Sequence, residues 1–197
     1  MKIRYIIFGC VFLVITMFVR TTSAYLTSEA TLLNPFAMGN VDVEIVETCF
    51  EEGHSWEINK NICKQVQIKN MNDHNALIRV QVIPYWIDEQ GKTFGGDISS
   101  IQLNFENITT QYEKENQWVS GSDGFYYYSS VLPIEQLTSV LLTSVTLKEE
   151  LPETYENKKL MIDVEAEAIQ ATQAAYQSAW SHVPKEIASM LEQLCKY

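Results

Sequence analysis

Apolar and polar residues alternate with a period of two along most of this chain, and this pattern constrains the fold more than any other feature. Only an extended strand turns every second side chain to the same face, so each alternating stretch predicts a half-buried β-strand. The apolar members of these stretches are Val41, Val43, Ile45; Val66, Ile68; Ile78, Val80, Val82; Ile101, Leu103, Phe105; Phe125–Tyr128; Val145, Leu147; and Leu160, Ile162, Val164, Ala166, Ala168. Turn-forming residues separate them at 70–75, 88–96 and 120–124. Seven or more short strands predict an all-β fold of two antiparallel sheets, a β-sandwich of the jelly-roll or Ig-like kind.

The alternation gives way to helical spacing near the carboxyl end. Apolar residues recur three and four positions apart at Ile187, Met190, Leu191 and Leu194. Pro184 suits the first position of a helix, so residues 184–195 are predicted to form a C-terminal amphipathic helix. Its apolar stripe fits a helix that covers the sandwich, although a partner-binding or membrane-surface helix has the same pattern. Residues 133–142 fit either a turn with a short helix or another strand.

The first residues have the pattern of a secretory signal peptide. A basic start with Lys2 and Arg4 is followed by an apolar run from Tyr5 to Val19 and by small residues that end at Ala24. We predict that residues 1–24 are removed by cleavage between Ala24 and Tyr25. The run is shorter than the roughly 20 apolar residues that cross a bilayer, but an uncleaved amino-terminal anchor remains an alternative. After cleavage, residues 25–197 are expected to form a single secreted domain with no permanent membrane anchor.

The charge of the mature chain excludes one class of partner. Residues 1–24 contain three basic residues and no acidic ones, so cleavage leaves 11 basic and 25 acidic residues, a net charge of −14. Proteins that bind nucleic acid need basic surfaces, so we expect no nucleic-acid partner. Acidity of this size is typical of a soluble surface and less often of a cation-binding face.

Three cysteines remain after cleavage, because Cys10 lies in the signal peptide. Cys49 and Cys63 flank a polar stretch between two predicted strands, and an exported protein can form disulfides. We predict that these two cysteines are bonded and that Cys195 is unpaired. A zinc site at Cys49, His54 and Cys63 matches no standard ligand spacing, so no metal ligand is assigned.

Motifs for catalysis are not apparent. The three histidines, His54, His74 and His182, do not form the His-Glu-x-x-His pattern of zinc proteases, and no Gly-x-Ser-x-Gly sequence occurs. We assign no catalytic residue and no cofactor.

Aromatic residues cluster after the Asp123-Gly124 turn. Alternation places Phe125 and Tyr127 on one face of the strand, and Tyr126 and Tyr128 on the other. If only one face lies on a core, two tyrosines are exposed and available for adhesion; the alternative is a strand covered on both faces.

Several segments follow one another in an order that a known family shares. They are Ala24–Ala30 with Asn34–Ile45 at the export junction; KQVQIKN at 64–70; ALIRVQV at 76–82; Trp118 with DGFYYY at 123–128; and AEAIQA at 166–171 with Trp180 beyond. In these segments the chain resembles the TasA and camelysin family of exported proteins, which includes the BsaA-like biofilm matrix proteins of Gram-positive bacteria.

The resemblance implies a function and partners. The expected function is that of a secreted structural protein of the cell surface or biofilm matrix, with or without fibre formation, that is exported through a SipW-type signal peptidase. Self-association or binding to other matrix proteins is expected. The alternative that the resemblance implies is a camelysin-like surface metalloprotease.

Cleavage would free an apolar segment ahead of the first strand. The apolar residues of this segment do not belong to the alternating stretch that begins at Val41; they are Leu26, Leu32, Leu33 and Phe36. We predict that residues 25–36 form an extra strand for a neighbouring subunit. The alternative is an edge strand of the same chain.

Overall fold

The computed structural model describes residues 42–49, 57–112, 114–180 and 182–196. The chain divides into two compact units, Met1–Ala37 and Met38–Tyr197, and all the described residues belong to the second. The predicted signal peptide, the junction of Ala24 and Tyr25, and the proposed assembly residues Leu26, Leu32, Leu33 and Phe36 lie outside the described residues.

The described residues are mostly β-strands in two antiparallel sheets, with two short helices near the carboxyl end. The strands are β1 (Val43–Thr48), β2 (Asn61–Asn70), β3 (Ala76–Ile87), β4 (Thr93–Phe94), β5 (Ile101–Phe105), β6 (Trp118–Ser120), β7 (Tyr126–Tyr128), β8 (Leu142–Leu147) and β9 (Lys159–Gln170). The helices are α1 (Gln173–Ala179) and α2 (Lys185–Leu194), and a 3₁₀ turn covers Glu153–Tyr155.

The first sheet, sheet A, has the order β1-β2-β8-β5. In β2 the buried positions recur at every second residue, with Ile62, Val66 and Ile68 inside, as the alternation predicted. The strand ends at Asn70, whose buried side-chain amide donates to the carbonyls of His74 and Leu132, each at 3.0 Å. These bonds satisfy a polar group that would otherwise destabilise the core.

The second sheet, sheet B, is built around β3. β9 pairs with β3 over its full length, from Ala76 opposite Gln170 to Ile87 opposite Lys159. β7 and β4 pair with the other edge of β3, and β6 pairs with β7. β3 is therefore the central strand, and β9 lies on one side of the sheet.

One hydrophobic core contains side chains of both sheets. Sheet A contributes Val66, Ile68, Leu142 and Val145 from β2 and β8. The residues of sheet B in this core, from β3, β6, β7 and β9, are Ala76, Ile78, Val80, Trp86, Trp118, Tyr128, Leu160 and Val164. This cluster, called the inner core below, holds the sheets together by burying apolar surface from both.

A second cluster, the outer core, covers the other face of sheet B. Leu77, Val119 and Tyr127 of that sheet contact the helices there. The helical and interhelical members are Tyr176, Trp180, Ile187, Met190 and Leu191. The prediction that the C-terminal amphipathic helix covers a sheet is therefore confirmed. In the part of the chain that the structure describes, no helix has the length and apolar run that a membrane crossing requires.

Some local predictions were incomplete or wrong. α1 was not predicted; its Thr172 cap accepts a hydrogen bond from the backbone N–H of Ala175 at 3.2 Å. Pro184 precedes α2 as its cap instead of occupying the first helical position. The stretch 133–142 forms a turn and one isolated bridge, Leu137 opposite Lys69, and its last residue, Leu142, begins β8.

The tyrosine strand β7 is covered on both faces. Tyr128 is 3% exposed in the inner core, and Tyr127 is 0% exposed in the outer core. Tyr126 packs partly buried against the inner core. The idea of two exposed adhesive tyrosines is therefore wrong, because the helices occupy the face that was left open.

Buried tyrosines predict a loss of stability at high pH. Burial raises the pKa of Tyr126, Tyr127, Tyr128 and Tyr176 above the usual value near 10. The folded state thus keeps protons that the unfolded chain releases, so the free energy of unfolding should be steady below about pH 10 and fall above it. Each such tyrosine contributes a slope of about 1.4 kcal/mol per pH unit there.

Urea unfolding between pH 8 and pH 11, followed by circular dichroism, measures this slope. Tyr127→Phe should reduce it, since the ring remains while the titrating hydroxyl is lost. Equal stability across the whole range would contradict the prediction.

Candidate functional site

The structure contains the disulfide between Cys49 and Cys63, with Cα atoms 5.7 Å apart. It joins the end of β1 to β2. Cys49 has a φ of 55°, in the left-handed region that non-glycine residues seldom adopt. Cys195 is a half-buried free thiol that packs against the outer core, and burial raises its pKa. The disulfide occupies both cysteines of the rejected zinc set, and His54 lies outside the described residues.

Histidines and carboxylates are dispersed in the described residues. Among them, no group of three His, Cys, Asp or Glu side chains is placed to hold a metal ion. His74 lies in the turn after β2, where its Nδ1 contacts the carboxylate of Asp73. The side chain of Asn107, in the Asn-Ile-Thr sequon, donates to the carbonyl of Val140 at 2.9 Å.

The longest strand edge lies on β9. Within the described residues, β9 pairs only with β3, so the other side of this 12-residue strand has no strand partner there. Likewise, β1 pairs only with β2 among the described residues. An unpaired edge presents backbone N–H and C=O groups that can bind another strand.

The two edges lie beside each other, because β1 and β9 are in contact although they belong to different sheets. We call these two adjoining edges the seam. Ile45 is paired with Ile68, and paired residues point to the same face, so Ile45 faces the inner core. Ile68 is 0% exposed, whereas Ile45 is 37% exposed. The inner core is therefore incompletely covered at the seam.

The inward-facing side chains of β9 near the seam are also only partly buried. Ile162, Ala166 and Ala168 alternate on the face that packs against the inner core, and all three are only partly buried. An apolar strand placed along this edge would cover them and satisfy the backbone groups of β9. The seam is the candidate functional site.

No family model, curated protein or solved structure matches the chain. The resemblance to the TasA and camelysin family thus stays a prediction from the sequence.

An ion pair between a buried lysine and a partly exposed glutamate lies near the disulfide end of the seam. Lys64 is 3% exposed, and its Nζ donates to Oε1 of Glu47 on β1 at 2.6 Å. A buried ammonium is costly unless it is paired, so this contact fixes β1 against β2. Thr48 adds a hydrogen bond to Gln65 at 3.1 Å.

The outward face of β9 is acidic. Asp163 and Glu165 are exposed there, while Glu167 accepts hydrogen bonds from Arg79. Carboxylates on an edge strand repel acidic partners and disfavour unspecific pairing. A strand with few acids and apolar side chains toward the core suits this edge, and residues 25–36 contain one acid, Glu29.

A cluster centred on Arg79 was missed by sequence reasoning. The guanidinium lies 4.1 Å from the ring centre of Phe125 and 4.9 Å from that of Trp180. Its Nε and Nη2 donate to Oε2 of Glu167 at 3.1 and 2.7 Å, and the indole N–H of Trp180 donates to the same oxygen at 3.0 Å. The cluster brings together residues from four separate parts of the chain, and no local sequence motif predicts it.

Proposed function

We propose that this chain is an exported structural subunit of a bacterial cell surface or extracellular matrix, and that it assembles by strand exchange. In this proposal residues 25–36 of one copy lie along the seam of the next copy. The two sheets act as the layers of a β-sandwich whose inner core is completed by the incoming strand.

The observation that carries the proposal is the seam. Within the described residues, two strand edges without a further strand partner border an inner core that leaves Ile45 at 37% exposure. A strand added here gains main-chain hydrogen bonds along β9 and buries apolar side chains against the inner core.

Export supplies the free strand. Cleavage between Ala24 and Tyr25, by a SipW-type peptidase, exposes the segment at a new amino terminus. Other matrix proteins that offer an apolar strand are further partners of the same seam. The resemblance to fibre-forming matrix proteins supports this reading.

We expect the mature protein, beginning at Tyr25, to grow in mass with concentration in light scattering, and a version beginning at Gly39 to stay monomeric. The second form keeps the acceptor seam but has lost the donor strand. Protein recovered from the culture medium should begin at Tyr25 on amino-terminal sequencing.

A complementary variant removes the acceptor. Ile45→Asp places a carboxylate on the inner face of the seam, where an incoming strand would desolvate it. This donor-only form should also be monomeric, but a mixture with the Gly39 form should yield one-to-one complexes. Ile98→Asp, at a residue 42% exposed on a loop outside β1 and β9, is the matched control and should assemble normally.

If the mature protein and the mixture both stay monomeric at every concentration, strand exchange is wrong and a strand folded back in the same chain is favoured. Zinc-dependent cleavage of casein by the same preparation would instead support the metalloprotease alternative.

A further inference from the structure

A concave surface lies on the helical side of sheet B. The groove between α2 and the loop that carries Thr110 and Tyr112 has a volume of about 760 Å³. Glu186, Ser189 and Gln193 recur at helical spacing along its α2 wall, and all three are exposed.

The opposite wall is held in place by hydrogen bonds. The backbone N–H of Gln111 donates to the hydroxyl of Thr109 at 3.0 Å, and the carbonyl of Lys114 accepts from the hydroxyl of Ser129 at 2.6 Å. The N–H of Thr109 donates to the carbonyl of Trp118 at 2.8 Å, which ties the loop to β6. These bonds fix Thr109 at β6 and Lys114 beside Ser129, on either side of Tyr112.

The lining has the chemistry of a polar, uncharged ligand. Thr110, Gln111, Ser189 and Gln193 offer hydroxyl and amide groups that both donate and accept hydrogen bonds, as sugar hydroxyls do. The ring of Tyr112, 38% exposed, adds a flat apolar face of the kind on which the C–H side of a pyranose lies.

Other ligand classes fit less well. Sites for apolar small molecules are lined mainly by hydrophobic side chains, whereas all the described lining residues of this groove except Met190 carry a hydrogen-bonding polar group. Among the described residues that line the groove, Lys114 and Glu186 carry opposite charges. The net charge of −14 on the mature chain repels polyanions. A peptide strand needs an open sheet edge, and the α2 wall has its backbone bonded within the helix.

We propose that this groove binds a neutral oligosaccharide, with Tyr112 as the stacking platform and α2 as the hydrogen-bonding wall. The site lies apart from the seam, so it requires no strand exchange. It would give the protein a direct attachment to neutral matrix or cell-wall glycan.

The test is a ligand-detected NMR titration of the mature protein with cellotetraose, chitotetraose and, as an anionic probe, tetragalacturonate. At least one neutral tetrasaccharide should bind, and tetragalacturonate should not. Tyr112→Ala should weaken binding at least about tenfold, whereas Tyr112→Phe, which keeps the ring, should stay within about threefold. Tyr85→Ala, on β3 and outside the groove, is the control and should bind as the unaltered protein does.

Because Tyr112 is exposed, its substitution should leave the melting temperature unchanged, which separates loss of binding from loss of folding. Failure of both neutral probes to bind, binding that Tyr112→Ala does not weaken, or tighter binding of tetragalacturonate would each overturn the proposal.

Discussion

Reduction of the Cys49–Cys63 disulfide should lower the free energy of unfolding by about 3 kcal/mol, the value expected for a closed loop of this length. The two cysteines are 14 residues apart in sequence. Opening the disulfide raises the conformational entropy of the unfolded chain, and this lowers the free energy of unfolding. β1 would then be held to β2 by its ladder, the Lys64–Glu47 pair and the Thr48–Gln65 bond.

Urea unfolding of Cys49→Ala/Cys63→Ala beside the unaltered protein measures this loss. Cys195→Ser is the matched control, because it removes a cysteine without opening the bridge, and it should change stability far less. Non-reducing peptide mapping should recover the Cys49 and Cys63 peptides linked. A bridge from Cys195 to either of them, or full stability without the bridge, would contradict the prediction.

Arg79→Ala should lower the free energy of unfolding by about 2 to 3 kcal/mol. The substitution removes two cation–π contacts of about 0.5–1 kcal/mol each and the charged hydrogen bonds to Glu167. We discount the ion pair to about 1 kcal/mol, because the Glu167 side chain is 46% exposed. Stacking on Phe125 and Trp180 thus accounts for at least half of the expected loss.

Two further variants separate charge from stacking. Arg79→Lys keeps the positive charge but loses the planar guanidinium, which stacks on the rings and donates two hydrogen bonds to Glu167. It should therefore recover only part of the free energy of unfolding. Lys69→Ala removes another strand cation, which pairs at 3.0 Å with the 61%-exposed Glu135, and should cost under about 1 kcal/mol. If Arg79→Ala matched Lys69→Ala, the stacked cluster would have no special role.

Alternation was sufficient to predict the main strands, because each strand has one face on the inner core. It also identified which side chains of β2 and β9 point inward. It did not predict β4 and β6, which have two and three residues. Strands this short contain too few residues for an alternation of apolar and polar side chains to be recognised. α1 was missed because it buries only Ala175 and Tyr176 in seven residues, and its one local signal was the Thr172 cap.

The candidate site was less accessible to sequence reasoning. Which edges stay unpaired depends on contacts between strands far apart in the chain, and a period of two is the same for edge and central strands. From the sequence, residues 25–36 were predicted to be a strand that does not belong to the alternation beginning at Val41. The sequence did not indicate which strand edges such a strand would pair with. The exposure of Ile45 on an inward face became apparent only with β1 and β9 side by side.

If the chain is exported as proposed above, the pairing of β3 with β9 has a consequence for the order in which it would fold. Arg79 and Glu167, opposite each other in this ladder, are 88 residues apart in sequence. Contacts of such separation are slow to form, because the intervening chain must first lose its freedom. A polypeptide that leaves the cell amino terminus first cannot close sheet B, or seat the helices on it, until β9 has emerged. The export machinery would therefore transport a chain that stays largely unfolded until β9 has emerged. The proposed acceptor edge on β9 would form only after residues 25–36, the proposed donor strand, are already outside the cell.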